Sequence, residues 1–78
     1  MPLKQRYEEV ADDLRARIAR GEYPLRSRLP SRAQMRELYS ISDTVSDKAF
    51  RILREAGLVD TLPGVGVFVI KVPPEASA

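Results

Sequence analysis

The chain has 78 residues, of which 44% are hydrophobic and 31% charged, and its formal net charge is +2 at pH 7. These values are typical of one small globular domain. Cysteine and histidine are absent, which excludes disulfides, thiolate metal sites and a histidine general base. No apolar run approaches the roughly 18 residues of a membrane span, and the N-terminus lacks the apolar core of a signal peptide. We expect a cytoplasmic protein with no membrane contact, catalytic residues, metal or cofactor, and therefore no enzyme.

The first predicted helix covers roughly residues 4–20. Its apolar side chains recur at spacings of three and four, which is the pattern of one buried helix face: Tyr7, Val10, Ala11, Leu14 and Ile18. Acidic residues lie in its first half and arginines in its second half, as the helix dipole favours. Gly21 follows directly and predicts a C-terminal cap.

A connector over 22–30 leads to a second, shorter helix. Two prolines prevent a helix in the connector, and we expect Arg28 and Leu29 to add a short strand to a later hairpin. Ser31 is a predicted N-cap, and Gln34 three residues on completes a capping box. Met35 and Leu38 are predicted to enter the core.

The third predicted helix begins after Ser42, a second N-cap, and runs to Ala56, where Gly57 stops it. Its buried side is predicted to be Ala49, Phe50, Ile52, Leu53 and Ala56. Residues 58–62 and 67–72 are predicted strands, because valine and isoleucine are enriched there, and 63–66 is the turn that makes them a hairpin. Residues 73–78 are a predicted disordered tail or linker stub, because proline cannot continue a strand.

These elements follow in the order α-β-α-α-β-β. The order predicts a mainly α fold with a small β-hairpin, a winged helix-turn-helix with a three-helix core, over residues 1–72. The middle of the chain is basic, with only Glu22 opposing seven arginines: Arg15, Arg17, Arg20, Arg26, Arg28, Arg32 and Arg36. This block favours a surface that faces phosphates, although a solvated arginine-rich face is the open alternative.

Four segments in this order resemble the DNA-binding domain of GntR-family bacterial transcription regulators. They are IARGEYP at 18–24, SRLPS at 27–31, AFRILREAGLV at 49–59 and GVGVFV at 64–69. The resemblance runs from about Tyr7 to Val69. Each segment alone is a weak signal, but four at the right spacing are fairly specific.

The resemblance implies sequence-specific binding of double-stranded DNA. The helix that starts at Ser42–Asp43 would lie in the major groove, and the hairpin glycines would lie near the minor groove. The amides at Ser31 would meet a phosphate, and Val45 would pack on a thymine methyl group. The residues implied to contact DNA are Tyr7, Arg28, Ser31, Arg32, Arg36, Ser42, Asp43, Thr44, Val45, Asp47, Lys48, Arg51, Gly64 and Gly66, with Arg54 as a further source of backbone affinity.

Several positions depart from the family pattern. Asp43 stands where the family usually has arginine, a natural guanine reader, and Asp47 stands where it often has another. Arg32 stands one residue before the usual helix arginine, at a position where an acid is common. Arg26 replaces the usual turn glycine. Val45 and Ser46 reverse the usual polar-then-apolar order.

Two interpretations remain open. In the first, the chain binds DNA with altered specificity, and the aspartates accept from cytosine or hold Lys48 or Arg51 in position; the four-residue spacing of Asp47 and Arg51 allows an intrahelical ion pair. In the second, the acidic helix start and the apolar wing tip (Leu62, Val65) form a surface for a protein partner. A homodimer on a palindromic operator is expected for a DNA reader. We expect nucleoid association and no small-molecule effector domain in this chain, which is then either a fragment or a minimal regulator.

Overall fold

The computed structural model describes residues 4–74 and contains three helices and a two-stranded antiparallel sheet. The helices are α1 (Arg6–Ala19), α2 (Arg32–Tyr39) and α3 (Asp43–Glu55), and the strands are β1 (Val59–Leu62) and β2 (Gly66–Val69). The predicted winged helix-turn-helix is confirmed, with α2 and α3 as the helix pair and β1–β2 as the wing.

The apolar stripe of α1 is buried as predicted from Val10 to Ile18 and forms the centre of the core, whereas Tyr7, predicted to belong to it, is only half-buried and lies outside the core cluster. α1 packs mainly against α3, and Gly21 ends it with a φ of 88° and a hydrogen bond to Ile18 O. Residues from every element join this stripe in one cluster: Val10, Ala11, Leu14, Ile18, Leu29, Met35, Ile41, Ala49, Phe50, Leu53, Leu58, Val59 and Val69. Burying these side chains on one side of each helix gives the short helices the stability that they lack alone.

The predicted capping box of α2 is present. Ser31 Oγ accepts from the amide of Gln34, and the Gln34 side chain accepts from the amide of Ser31. Met35 is buried as predicted, but the prediction for Leu38 is wrong, because Leu38 is 53% exposed. Tyr39 packs against the core instead, since the eight-residue helix turns only one narrow face inward and the side chains of Leu38 and Tyr39 point about 100° apart.

The turn between α2 and α3 depends on a left-handed residue and a second cap. Ser40 has a φ of 54° and donates its amide to Arg36 O, and Ser42 Oγ accepts from the amide of Val45. α3 buries Ala49, Phe50 and Leu53 as predicted, with Ile52 half-buried. The prediction that Ala56 is buried is wrong: α3 ends one residue earlier, and Ala56 lies exposed at its C-cap.

The sheet is extended on one side by the connector, as predicted. β1 and β2 pair from Val59–Val69 to Leu62–Gly66, and Arg28 forms a bridge with Phe68. Leu29 donates its amide to Val67 O, and Val69 donates its amide to Ser27 O. β2 is shorter than predicted, because the amides of residues 70 and 71 both turn to Leu58 O.

Of the predicted tail, only residues 73 and 74 lie within the described part of the chain. Pro73 is buried and Pro74 is exposed, whereas residues 75–78 lie outside the described residues. Within 4–74 no helix has the length and apolar character needed to cross a membrane.

Candidate nucleic-acid interface

Two ion pairs join α2 to the first two turns of α3. Arg32 donates two hydrogen bonds to Asp47, from Nε to Oδ1 at 3.0 Å and from Nη2 to Oδ2 at 2.9 Å. One turn later in α2 and one turn earlier in α3, Arg36 Nη1 donates to Asp43 Oδ1 at 3.1 Å. All four side chains are partly exposed, between 44% and 61%. The two departures from the family pattern on α3 are thus paired with arginines of α2.

This arrangement corrects the predicted intrahelical pairing. Asp47 is bonded to Arg32 and not to Arg51, and Arg51 instead lies 3.6 Å from Glu55. Lys48 is not held by an aspartate either, because its Nζ lies over the Tyr7 ring, 5.4 Å from the centroid. The family pattern described above commonly has an acid at position 32 and often has an arginine at position 47. In this chain the two charges are exchanged, with the arginine at 32 and the acid at 47.

A groove of about 470 Å³ separates the start of α2 and the side of α3 from the wing. Three arginines line it, Arg28 from the connector, Arg32 from α2 and Arg54 from α3. Arg54 Nη1 donates to Thr61 Oγ1 at 3.1 Å, which ties α3 to β1. Neither Arg28 nor Arg54 makes an ion pair with another residue of the described range. The groove therefore presents two uncompensated cations beside the capped start of a helix.

Arg28 lies against a wing glycine. A Cβ atom on Gly66 would lie 2.6 Å from Arg28 Nε and 3.3 Å from its Cζ, so any side chain at position 66 would require this guanidinium to shift. Gly66 also has a φ of 150°. The Cβ position of Gly64 has no atom within 4 Å, which leaves its backbone open to an approaching ligand.

The remaining predicted DNA-contact residues lie along the exposed start of α3. Ser42, Thr44 and Lys48 are exposed. Val45 is half-buried and packs against the core, while its neighbour Ser46 is fully buried. The Oγ atom of Ser46 has no hydrogen-bond partner among the described residues. At the wing tip, Leu62 and Val65 are both 52% exposed.

A polar network that the sequence did not reveal joins α1 to α2. Asp13 Oδ2 accepts from Tyr39 Oη at 2.6 Å and from Arg17 Nε at 2.8 Å, and Arg6 donates to Tyr39 O. Burial works to raise the pKa of Asp13, but the hydrogen bonds from Tyr39 and Arg17 outweigh it and hold that pKa below its ordinary value. Burial and the Asp13 carboxylate raise the pKa of Tyr39. The network fixes the orientation of α2 and therefore of its arginines.

The family model of the gntR family of bacterial regulatory proteins matches residues 6–69. The chain belongs to the GntR family. The match covers the three helices and the wing, so the elements that carry the arginines and the paired aspartates are the elements that define the family.

Relatives of the GntR chain are regulators. It is 30% identical over 66 residues to the Escherichia coli mannosyl-D-glycerate transport/metabolism system repressor MngR, which covers 85% of the chain. The chain spans only 25% to 28% of the length of the curated relatives that it matches. A crystal structure assigned to the GntR family of transcriptional regulators has 41% sequence identity to this chain and a TM-score of 0.79. The matched region covers 90% of this chain and 28% of the chain in that crystal structure. The DNA-binding domain of AraR, solved with operator ORR3, shares the fold at 23% identity and a TM-score of 0.79, covering 88% and 89% of the two chains.

Proposed function

We propose that this chain is the DNA-binding domain of a GntR-type transcription regulator, with α3 in the major groove and the wing near the minor groove. The observation that carries the proposal is the arginine-lined groove between α2, α3 and the wing. The winged-helix domains of AraR and BusR, which share its fold, were solved with operator and promoter DNA. In a helix-turn-helix, the second helix lies in the major groove of DNA and its N-terminal residues contact the base edges.

The groove has the chemistry of a phosphate site. The guanidinium groups of Arg28 and Arg54 keep N–H donors that have no acceptor among residues 4–74, and the first-turn amides of α2 follow Ser31 at the same opening. Guanidinium donors and helix N-terminal amides both bind phosphate oxygens. A DNA backbone that runs between α3 and the wing would therefore find its counter-charges here.

The wing geometry supports a close approach to DNA. Gly64 leaves its backbone unshielded, and Gly66 holds Arg28 against the wing, where its cation can follow a phosphate or enter a narrow minor groove. Tyr7 and Lys48, which lie together, extend the same surface toward α1. On a palindromic operator two such domains would bind as a homodimer, one to each half-site.

Selection of bound duplexes from a random pool tests the proposal. We expect a single enriched motif, and we expect Arg28→Ala and Arg54→Ala to weaken its binding. Arg15→Ala is the matched control, because Arg15 lies on α1 outside the groove. A pool that shows no enrichment, together with no binding of any duplex at low salt, would reject the proposal and favour a protein partner for this surface.

A further inference from the structure

We propose that Asp43 and Asp47 are specificity-determining residues that exchange partners on DNA. In the free protein each carboxylate neutralises an arginine of α2. On the cognate site the arginines bind phosphates, and the freed carboxylates accept hydrogen bonds from base amino groups. The inference rests on the proposed function, because it requires α3 to enter the major groove.

The pairs are easily broken. Asp47 and Arg32 are 50% and 61% exposed, and Asp43 and Arg36 are 44% and 55% exposed. Solvent screens the attraction at such sites, and holding two long side chains together costs entropy. A DNA phosphate can therefore replace the carboxylate as the partner of each arginine.

Arg32 is placed to make this change. It is the first residue of α2, directly after the Ser31 cap, and it lines the groove with Arg28. Asp47 occupies Nε and one Nη2 hydrogen, so three of the five guanidinium hydrogens are left without an acceptor in the described range. Two of these hydrogens, one on each Nη atom, form the second planar edge of the group, which fits two oxygens of a phosphate.

The aspartates are placed to meet bases. Asp43 is the first residue of α3 and Asp47 lies one turn later on the side that faces α2. An ionised carboxylate only accepts hydrogen bonds. In the major groove cytosine N4 and adenine N6 are donors, whereas guanine O6 and N7 and thymine O4 are acceptors that repel it. Cytosine is the better match, because adenine places an acceptor, N7, beside its amino group.

The exchange ties backbone affinity to base sequence. On a site without an amino group in reach, either the arginines stay paired with the aspartates, which weakens their attraction to the phosphates, or the carboxylates remain unpaired beside base acceptors. Both outcomes weaken binding of the wrong sequence. The chain therefore binds random DNA less tightly than its arginine content predicts. It also discriminates between sequences more strongly than it would without the two aspartates.

The test compares Asp43→Ala and Asp47→Ala with Glu55→Ala. Glu55→Ala is the control for removal of a paired carboxylate from α3. Glu55 is exposed and paired with Arg51 on the same helix, away from α2. Binding is measured by fluorescence anisotropy to the duplex selected by the wild-type chain and to duplexes in which each C·G pair is changed in turn to T·A. The removed side chains lie on the surface, and circular dichroism checks that each variant is folded.

We expect one or two such changes to weaken wild-type binding by roughly 5- to 100-fold, the range for loss of a base contact. The matching aspartate variant should lose this discrimination and bind random duplex more tightly, whereas Glu55→Ala should keep it. Arg32→Ala should lower the slope of log K against log salt on the selected duplex by about 0.9, one phosphate contact.

The inference is overturned if both aspartate variants keep full discrimination, because the carboxylates then only repel DNA, or if Arg32→Ala leaves the salt slope unchanged. A wild-type chain that binds no duplex at low salt is a different result. It rejects the proposed function itself, before any variant is compared.

Discussion

The Cα atom of Gly66 lies directly beside the side chain of Arg28, so that a Cβ atom built there would approach Arg28 Nε to 2.6 Å. The side chain of Arg28 thus occupies the space that a side chain at position 66 would fill. Because Arg28 also bridges to Phe68 through its backbone, both its main chain and its side chain are positioned by β2. The wing therefore presents an arginine that is not part of its own sequence.

Gly66→Ala should weaken DNA binding more than Gly64→Ala does. Both glycines have positive φ, and alanine at either position should lower the free energy of unfolding by roughly 1–3 kcal/mol. Only the Cβ at position 66 forces Arg28 to move. Anisotropy titrations should show that Gly66→Ala causes part of the loss caused by Arg28→Ala, because the guanidinium is displaced while its charge is kept. Equal affinity of the two glycine variants would show that the position of Arg28 is unimportant.

Arg26→Gly should stabilise the chain. Arg26 has a φ of 70°, a left-handed conformation that costs a residue with a side chain roughly 1 kcal/mol or more. Glycine removes this strain but has a more disordered unfolded state, so we expect a net gain of about 0.5 kcal/mol in urea denaturation. Arg26→Ala removes the same charge and keeps the strain. A gain as large in the alanine variant would assign the effect to charge instead.

Ser46→Ala should also stabilise the chain, by about 1 kcal/mol. The hydroxyl group of Ser46 is fully buried without a hydrogen-bond partner in the described structure, and burying an unpaired hydroxyl is unfavourable. Alanine is in addition a better helix former. Ser42→Ala is the opposite case, because it removes the α3 cap and should cost about 1 kcal/mol. If Ser46→Ala is destabilising, the Ser46 hydroxyl stabilises the fold and this explanation is wrong.

The Asp13 network should make stability depend on acid pH. The folded-state pKa of Asp13 is lowered, so its contribution is complete above the unfolded pKa of about 3.9 and is lost as the pH falls through the folded value. Asp13→Asn should therefore lower the free energy of unfolding by about 1 kcal/mol at pH 7. The difference from wild type should shrink below about pH 4. A difference that is constant with pH would mean that the Asp13 charge is not involved.

Local sequence signals predicted the fold well. Four of these signals depend only on residues close in sequence, and each is present in the structure where it was predicted. They are the apolar stripe of α1, the capping box at Ser31, the N-cap at Ser42 and Gly21. Leu38 and Ala56 were placed wrongly because their burial depends on how a short helix rolls and on where a helix ends. Neither is set by local spacing alone.

The candidate site was harder to predict. Sequence spacing finds partners along one helix, and it suggested Arg51 for Asp47. The observed partner, Arg32, is 15 residues away and belongs to another helix, so the pair exists only after α2 packs on α3. The Tyr39–Asp13 bond and the fit of Arg28 over Gly66 depend on the same packing. The departures from the family pattern were visible in the sequence, but their pairing was not.

The salt dependence of binding to a random duplex tests the central claim, that the groove binds a DNA backbone, most directly. Between about 50 and 200 mM salt, we expect the affinity of the wild-type chain to fall at least tenfold from a micromolar or tighter value. Arg28→Ala and Arg54→Ala should each lower the slope by about 0.9, and Arg15→Ala should leave it unchanged. Absence of binding at low salt, or an equal effect of all three substitutions, would contradict the assignment of this groove.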